Sequence, residues 1–132
     1  MAQANNRELT LTTVGANVTV RVTYQAVFTQ FERHLASNGL IFRERIAVIG
    51  VDPAGSTTGT VLHNFAAANL GVTAGVGPQT INRDRQITVT RASLQEDVGL
   101  GDNDEIRCRI RIEPIGMPAL VEEFTDQEIL LG

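Results

Sequence analysis

Period-two alternation of apolar and polar residues is the dominant signal along this chain. In VTVRVTYQAVF, Val18, Val20, Val22, Tyr24, Ala26 and Phe28 fall on one face, with Thr19, Arg21, Thr23 and Gln25 on the other. That is the pattern of a strand with one side in a core. Leu9 and Leu11 alternate with threonine just before it, and Gly15-Ala16-Asn17 supplies a turn between the two runs. QITVTRA and EIRCRIRIE repeat the alternation, and TVLHNF reads as a short strand. DPAGSTTG reads as a loop, and AAANLGVTAGVGP, small-residued and glycine-rich, as an irregular connection or an edge. PALVEEFTDQEILL fits a final strand or a short helix. The pattern predicts an all-β chain, a single antiparallel β-sandwich domain over residues 1–132 with about seven or eight strands.

One local element depends on a dipeptide. Asn38-Gly39 suits a two-residue hairpin turn, which would set Leu35 opposite Phe42, Phe31 opposite Ile46, Arg33 opposite Glu44 and Glu32 opposite Arg45. The inward face is even-numbered up to Phe28 but odd-numbered from Phe31 to Leu35 in that reading, so it requires a bulge or bend between Phe28 and Phe31. The alternative is a short helical turn through FTQFERHL.

Composition narrows the functional classes. Apolar content of 42% with 20% charge is ordinary for a globular chain, and no apolar run approaches the roughly 18 residues of a membrane helix, so no membrane partner is expected. MAQANNRELTLTT lacks a basic stretch followed by an apolar one, so no secretion signal is expected and the localisation stays unknown. All eleven basic residues are arginine, which excludes Schiff-base and phosphate-loop lysines and favours flat, bidentate pairing with carboxylates. Residues 96–132 carry ten acids against three arginines, while residues 1–95 carry five acids against eight. Interspersed arginines in an acidic chain do not make the clustered positive field of a nucleic-acid binder, so no nucleic-acid partner is expected.

Few residues carry recognisable chemistry. In EIRCRIRIE the alternation sends Ile106, Cys108, Ile110 and Ile112 inward and Arg107, Arg109 and Arg111 outward. The lone cysteine excludes an intrachain disulfide, and an inward mid-strand thiol lacks the exposure and the base of a nucleophile. Three arginines at roughly 6.6 Å spacing repel one another unless acids or an anion lie opposite. They are either a solvated face paired with Glu8, Glu44 or tail acids, or an interaction surface for an anion or another subunit. His34 and His63 lack metal-binding spacing, and Ser37, Ser56 and Ser93 lie in no nucleophile elbow. An enzyme would need residues gathered from distant loops, such as one of these histidines beside an acid.

Glu96, Asp97, Asp102, Asp104 and Glu105 put five carboxylates on a glycine-containing loop. Asp and Asn close turns by accepting from backbone N–H groups. Calcium, which takes six to eight oxygens, is the alternative occupant and the single cofactor suggested. DNDEIRC, with Leu94 upstream, resembles the D-x-G-x-Y-x-C stretch before the F strand of immunoglobulin domains, with Asp102, Ile106 and Cys108 in matching places. It departs from that pattern at Asp104 in place of glycine and Ile106 in place of tyrosine, and it has no earlier cysteine or core tryptophan. The resemblance implies an immunoglobulin-like sandwich and no particular function.

These readings lead to a non-catalytic structural or assembly module that binds a partner protein or a second copy of itself, as a homo-oligomer, through sheet faces and edges. EEFTDQEILLG is the candidate to extend a neighbour's edge, the alternative being that it completes its own sheet, and residues 119–131 are the candidate to dock across Arg107, Arg109 and Arg111 of the same or a neighbouring chain. The alternative is a calcium-assisted ligand-binding module using the acidic loop 96–105.

Overall fold

The structure is a computed structural model that describes residues 2–51, 59–94, 104–115, 121–125 and 128–130. It is mostly β, with two antiparallel sheets packed as a sandwich. The smaller sheet holds β1 (Gln3–Val14), β2 (Asn17–Phe28) and β6 (Gln79–Thr90) in the order β1-β2-β6. The larger holds β3 (Phe42–Val51), β4 (Gly59–Asn64), β5 (Ala68–Leu70), β7 (Asp104–Pro114), β8 (Val121–Phe124) and β9 (Glu128–Leu130). These six segments make four columns, because β4 and β5 share one edge of β3 and β8 and β9 share one edge of β7. The AAANLGVTAGVGP stretch accordingly supplies a short edge strand followed by irregular chain, and the tail completes the sheet of its own β7.

The alternation in the sequence sets which side chains meet. All six even-numbered residues of β2 from Val18 to Phe28 are buried, facing Phe42, Ile46 and Val48 of β3 and Ile106, Cys108, Ile110 and Ile112 of β7. Phe28 and Phe42 touch across the sandwich with ring centroids 5.1 Å apart. Of the residues behind the immunoglobulin resemblance, Leu94, Ile106 and Cys108 are fully buried, while Asp102 lies outside the described residues. The strand order does not by itself establish that family. Gly15 opens the two-residue β1–β2 turn at φ +60°, a conformation that suits glycine, and Val14 pairs directly with Asn17.

The hairpin at Asn38-Gly39 is not formed. Residues Gln30–Ser37 are a helix, α1, whose first turn is a capping box: the Thr29 hydroxyl accepts from the Glu32 amide at 3.2 Å, and Glu32 Oε1 accepts from the Thr29 amide at 3.0 Å. Asn38-Gly39 ends this helix. Gly39 sits at φ +102° and donates to Ala36 O, while Leu40 donates to Leu35 O, the paired bonds of a Schellman stop. The parity change after Phe28 is thus absorbed by a helix, Phe31 points to solvent at 68% exposure, and Glu32 is buried. Glu44 of β3 has no helical partner, and β3 pairs instead with β4, β5 and β7.

Helix α1 also organises the chain after β5. The Arg33 guanidinium donates to four carbonyls, those of Thr73, Ala74, Val76 and Gly77, at 2.8–3.2 Å. The plane of the fork passes so close to Gly75 that a Cβ there would lie 1.9 Å from Arg33 Nη2. An alanine at 75 would push the guanidinium off these carbonyls. This explains why a glycine occupies that loop position.

Candidate functional site

Two arrangements of charge distinguish this sandwich, one inside it and one on its outer face. Inside, Glu44 of β3 is 1% exposed and bridges the sheets. It accepts from Tyr24 Oη at 2.5 Å, from Arg83 Nε at 2.9 Å and Nη2 at 3.2 Å, and from Arg85 Nη1 at 2.9 Å. The β2–β6 register makes this possible, since Tyr24 lies opposite Arg83 and Val22 opposite Arg85, all on the inward face. Arg85 also donates to Ala66 O at 2.7 Å, tying β6 to the chain between β4 and β5. Glu44 does not pair with the outer arginines. It is instead consumed within the core, and Glu8 lies on the smaller sheet.

Burial pushes the Tyr24 pKa up, and the neighbouring Glu44 charge adds to the shift. An unfolded tyrosine ionises near pH ~10. Below that pH both states hold the proton and the stabilisation is complete. Above it the unfolded chain releases the proton while the folded protein keeps it, so stability falls as pH rises. Tyr24 is the chain's one tyrosine. Its tyrosinate absorbance should therefore appear only together with loss of circular-dichroism signal. Tyrosinate forming near pH 10 in a still-folded protein would contradict this arrangement.

On the outer face, Arg107, Arg109 and Arg111 project as the alternation requires and are half-buried. The register of β3 against β7 places Ile49 opposite Arg107, Ala47 opposite Arg109, Arg45 opposite Arg111, and Arg43 opposite Glu113. Five arginines thus share one sheet face. Arg45 Nε donates to Glu113 Oε1 at 2.5 Å, and β8 sets Glu122 opposite Arg111. Beside them a recess of about 180 Å³ opens between β3, β7 and the end of β4, bounded by Arg45, Arg109, Arg111, Asn64 and Ala67. The small side chains of Ala47 and Ala67 leave the room that the guanidinium groups surround.

No protein-family model, curated protein or solved structure matches the chain.

Among the acids proposed for calcium, Glu96, Asp97 and Asp102 lie outside the described residues, and Asp104 and Glu105 open β7 opposite Leu130 and Ile129. Among the described residues no group of three or more histidine, cysteine or acidic side chains is placed to hold a metal. His63 of β4 lies with its Nε2 2.8 Å from Ser93 Oγ, on the short helix α2 (Arg91–Leu94). The Ser93 hydroxyl donates its single proton to Thr90 O at 2.6 Å, so His63 donates to Ser93 in this geometry and is not poised as its base. His34 lies on α1, where its carbonyl accepts from Asn38 Nδ2 at 3.0 Å. Among the described residues, no helix is long and apolar enough to cross a membrane.

The alternation showed the outer ladder but missed Arg45, which reaches the ladder only through the β3–β7 register. It also missed the Glu44 hub. A signal existed for that one: Glu44 shares the parity of Phe42, Ile46 and Val48, and Arg83 and Arg85 share that of Ile81 and Ile87.

Proposed function

We propose that this protein is a non-catalytic assembly module that joins its smaller sheet to that of a second copy along β6. The observation that supports this reading is the β6 edge. It is twelve residues long, contains no proline or glycine, pairs with β2 without a register shift, and is the outer strand of its sheet among the described residues. Native proteins usually shorten, bulge, charge or cover such an edge, because its unpaired backbone groups template further strands; the charges β6 carries, Arg83, Asp84 and Arg85, are each paired with Glu44 or Arg21 of the same chain. Here the inward-facing Ile81, Ile87 and Val89 are only half-buried, so a neighbouring strand would both satisfy the backbone and cover apolar surface.

A second copy suits this edge. Antiparallel pairing of β6 with itself about Arg85 sets Thr80 opposite Thr90, Asn82 opposite Thr88 and Asp84 opposite Gln86 on the outer face, with Ile81 opposite Val89 within. Each outer pair can hydrogen-bond. The two central arginines keep their own Glu44 as counter-charge. Light scattering after size exclusion should give twice the chain mass. Asn82→Lys/Thr88→Lys, which faces like charges across the new seam, should return the monomer with its fold intact. A wild type that stays monomeric from micromolar to millimolar concentration would overturn the reading.

A further inference from the structure

We infer that the recess bounded by Arg45, Arg109 and Arg111 is a binding site for an oxyanion, a phosphate or carboxylate group carried by a small molecule. It opens on the outer face of the larger sheet and does not depend on self-association. Several other arginines of this lysine-free chain have firm partners. Arg83 and Arg85 meet Glu44, and Arg33 meets four carbonyls. Arg21 meets Asp84 at 2.6 Å, and Arg7 meets the Phe124 carbonyl and Glu123. Arg109 meets nothing comparable. Its Nε, like that of Arg91, is shielded from solvent with no hydrogen-bond acceptor, and among the described residues no acid pairs with Arg109.

A half-buried guanidinium whose Nε lacks an acceptor, next to two further guanidinium groups, is an arrangement that an anion would stabilise. Arg45 contributes without being released from its partner, since Glu113 takes its Nε and the outer nitrogens of the fork remain. Two forks can grip one oxyanion bidentately, which is the geometry in which arginine exceeds lysine. Asn64 adds an amide at the rim, and the volume of about 180 Å³ accommodates the oxyanion together with the first atoms of the molecule bearing it.

Titration of the full chain with inorganic phosphate and, separately, with citrate tests this site and distinguishes the two sources of the anion. At least one should raise the melting temperature by several degrees at millimolar concentration, beyond sodium chloride at equal ionic strength, because ligand bound only by the folded state stabilises it by mass action. A shift with phosphate alone assigns a phosphate group, and one with citrate alone assigns a carboxylate. Calorimetry should show Arg109→Gln binding at least tenfold more weakly, and Arg45→Gln weakened in the same direction should the first variant fold poorly. Arg21→Gln, on the other sheet, should bind as wild type. Asn82→Lys/Thr88→Lys should also keep the anion, so failure of self-association and failure of this site are read separately. If neither anion exceeds the chloride control, or Arg109→Gln binds undiminished, the inference is wrong.

Discussion

Glu44→Ala is expected to lower the unfolding free energy by about 3–5 kcal/mol, the range for removing one partner from a buried ion pair. The loss comes less from the attraction deleted than from what remains. Arg83 and Arg85, with side chains 22% and 20% exposed, and the buried Tyr24 hydroxyl would all keep their desolvation while losing their common acceptor. The hydrogen bonds that Arg83 donates to Glu44 raise its pKa, and without them a guanidinium is still protonated, so the cation would stay charged and uncompensated in the variant. Glu44→Gln should fall between wild type and alanine, since one carbonyl still accepts but the amide group now confronts arginine donors. Urea denaturation with an unchanged slope measures both. A loss below about 1 kcal/mol for alanine would mean that water replaces the carboxylate and that the hub is not a dry bridge between the sheets.

Glu32→Ala should cost about 2–4 kcal/mol, combining loss of a helix cap with a buried donor left unsatisfied. Glu32 is 4% exposed and joins two distant segments: its Oε1 caps α1 at Thr29, and its Oε2 accepts from the Ala2 amide at 2.9 Å. Ala2 is itself buried, so water does not readily replace that acceptor. Glu32→Gln keeps an acceptor oxygen for the cap and should recover most of the stability, because a capping box works with either side chain. Denaturation curves measure the totals, and faster amide exchange at Ala2 and through α1 should accompany the alanine variant alone. If glutamine is as damaging as alanine, charge and not acceptance holds the segment.

The same residue shows why part of the fold was legible and part was not. Strands β2 and β7 could be read directly, because each alternates without interruption and faces one core. Residues 29–40 satisfied two local codes at once. Phe31 and Leu35 suit a strand by parity and a helix by their spacing of four, and Asn-Gly serves a hairpin as well as a helix stop. Thr29-x-x-Glu32 followed by Gly39 decides for the helix, and that combination was present in the sequence. At the candidate site, Arg107, Arg109 and Arg111 were legible because they share one strand. Arg45 was not, because its place beside them is a matter of pairing between strands far apart in the chain. Glu44 illustrates a different limit. A charged residue on an apolar parity looks misplaced until its partners are known, and those partners lie on the other sheet.

The contact between β1 and β8 bears on the order in which the molecule can be completed. Arg7 reaches the Phe124 carbonyl at 2.8 Å, joining residues separated by 117 positions. In the finished fold, among the described residues, β1 pairs with β2 alone, and β8 is held beside it by its pairing with β7. Closing so long a loop costs entropy before its contacts form, so this contact is expected among the last to be made.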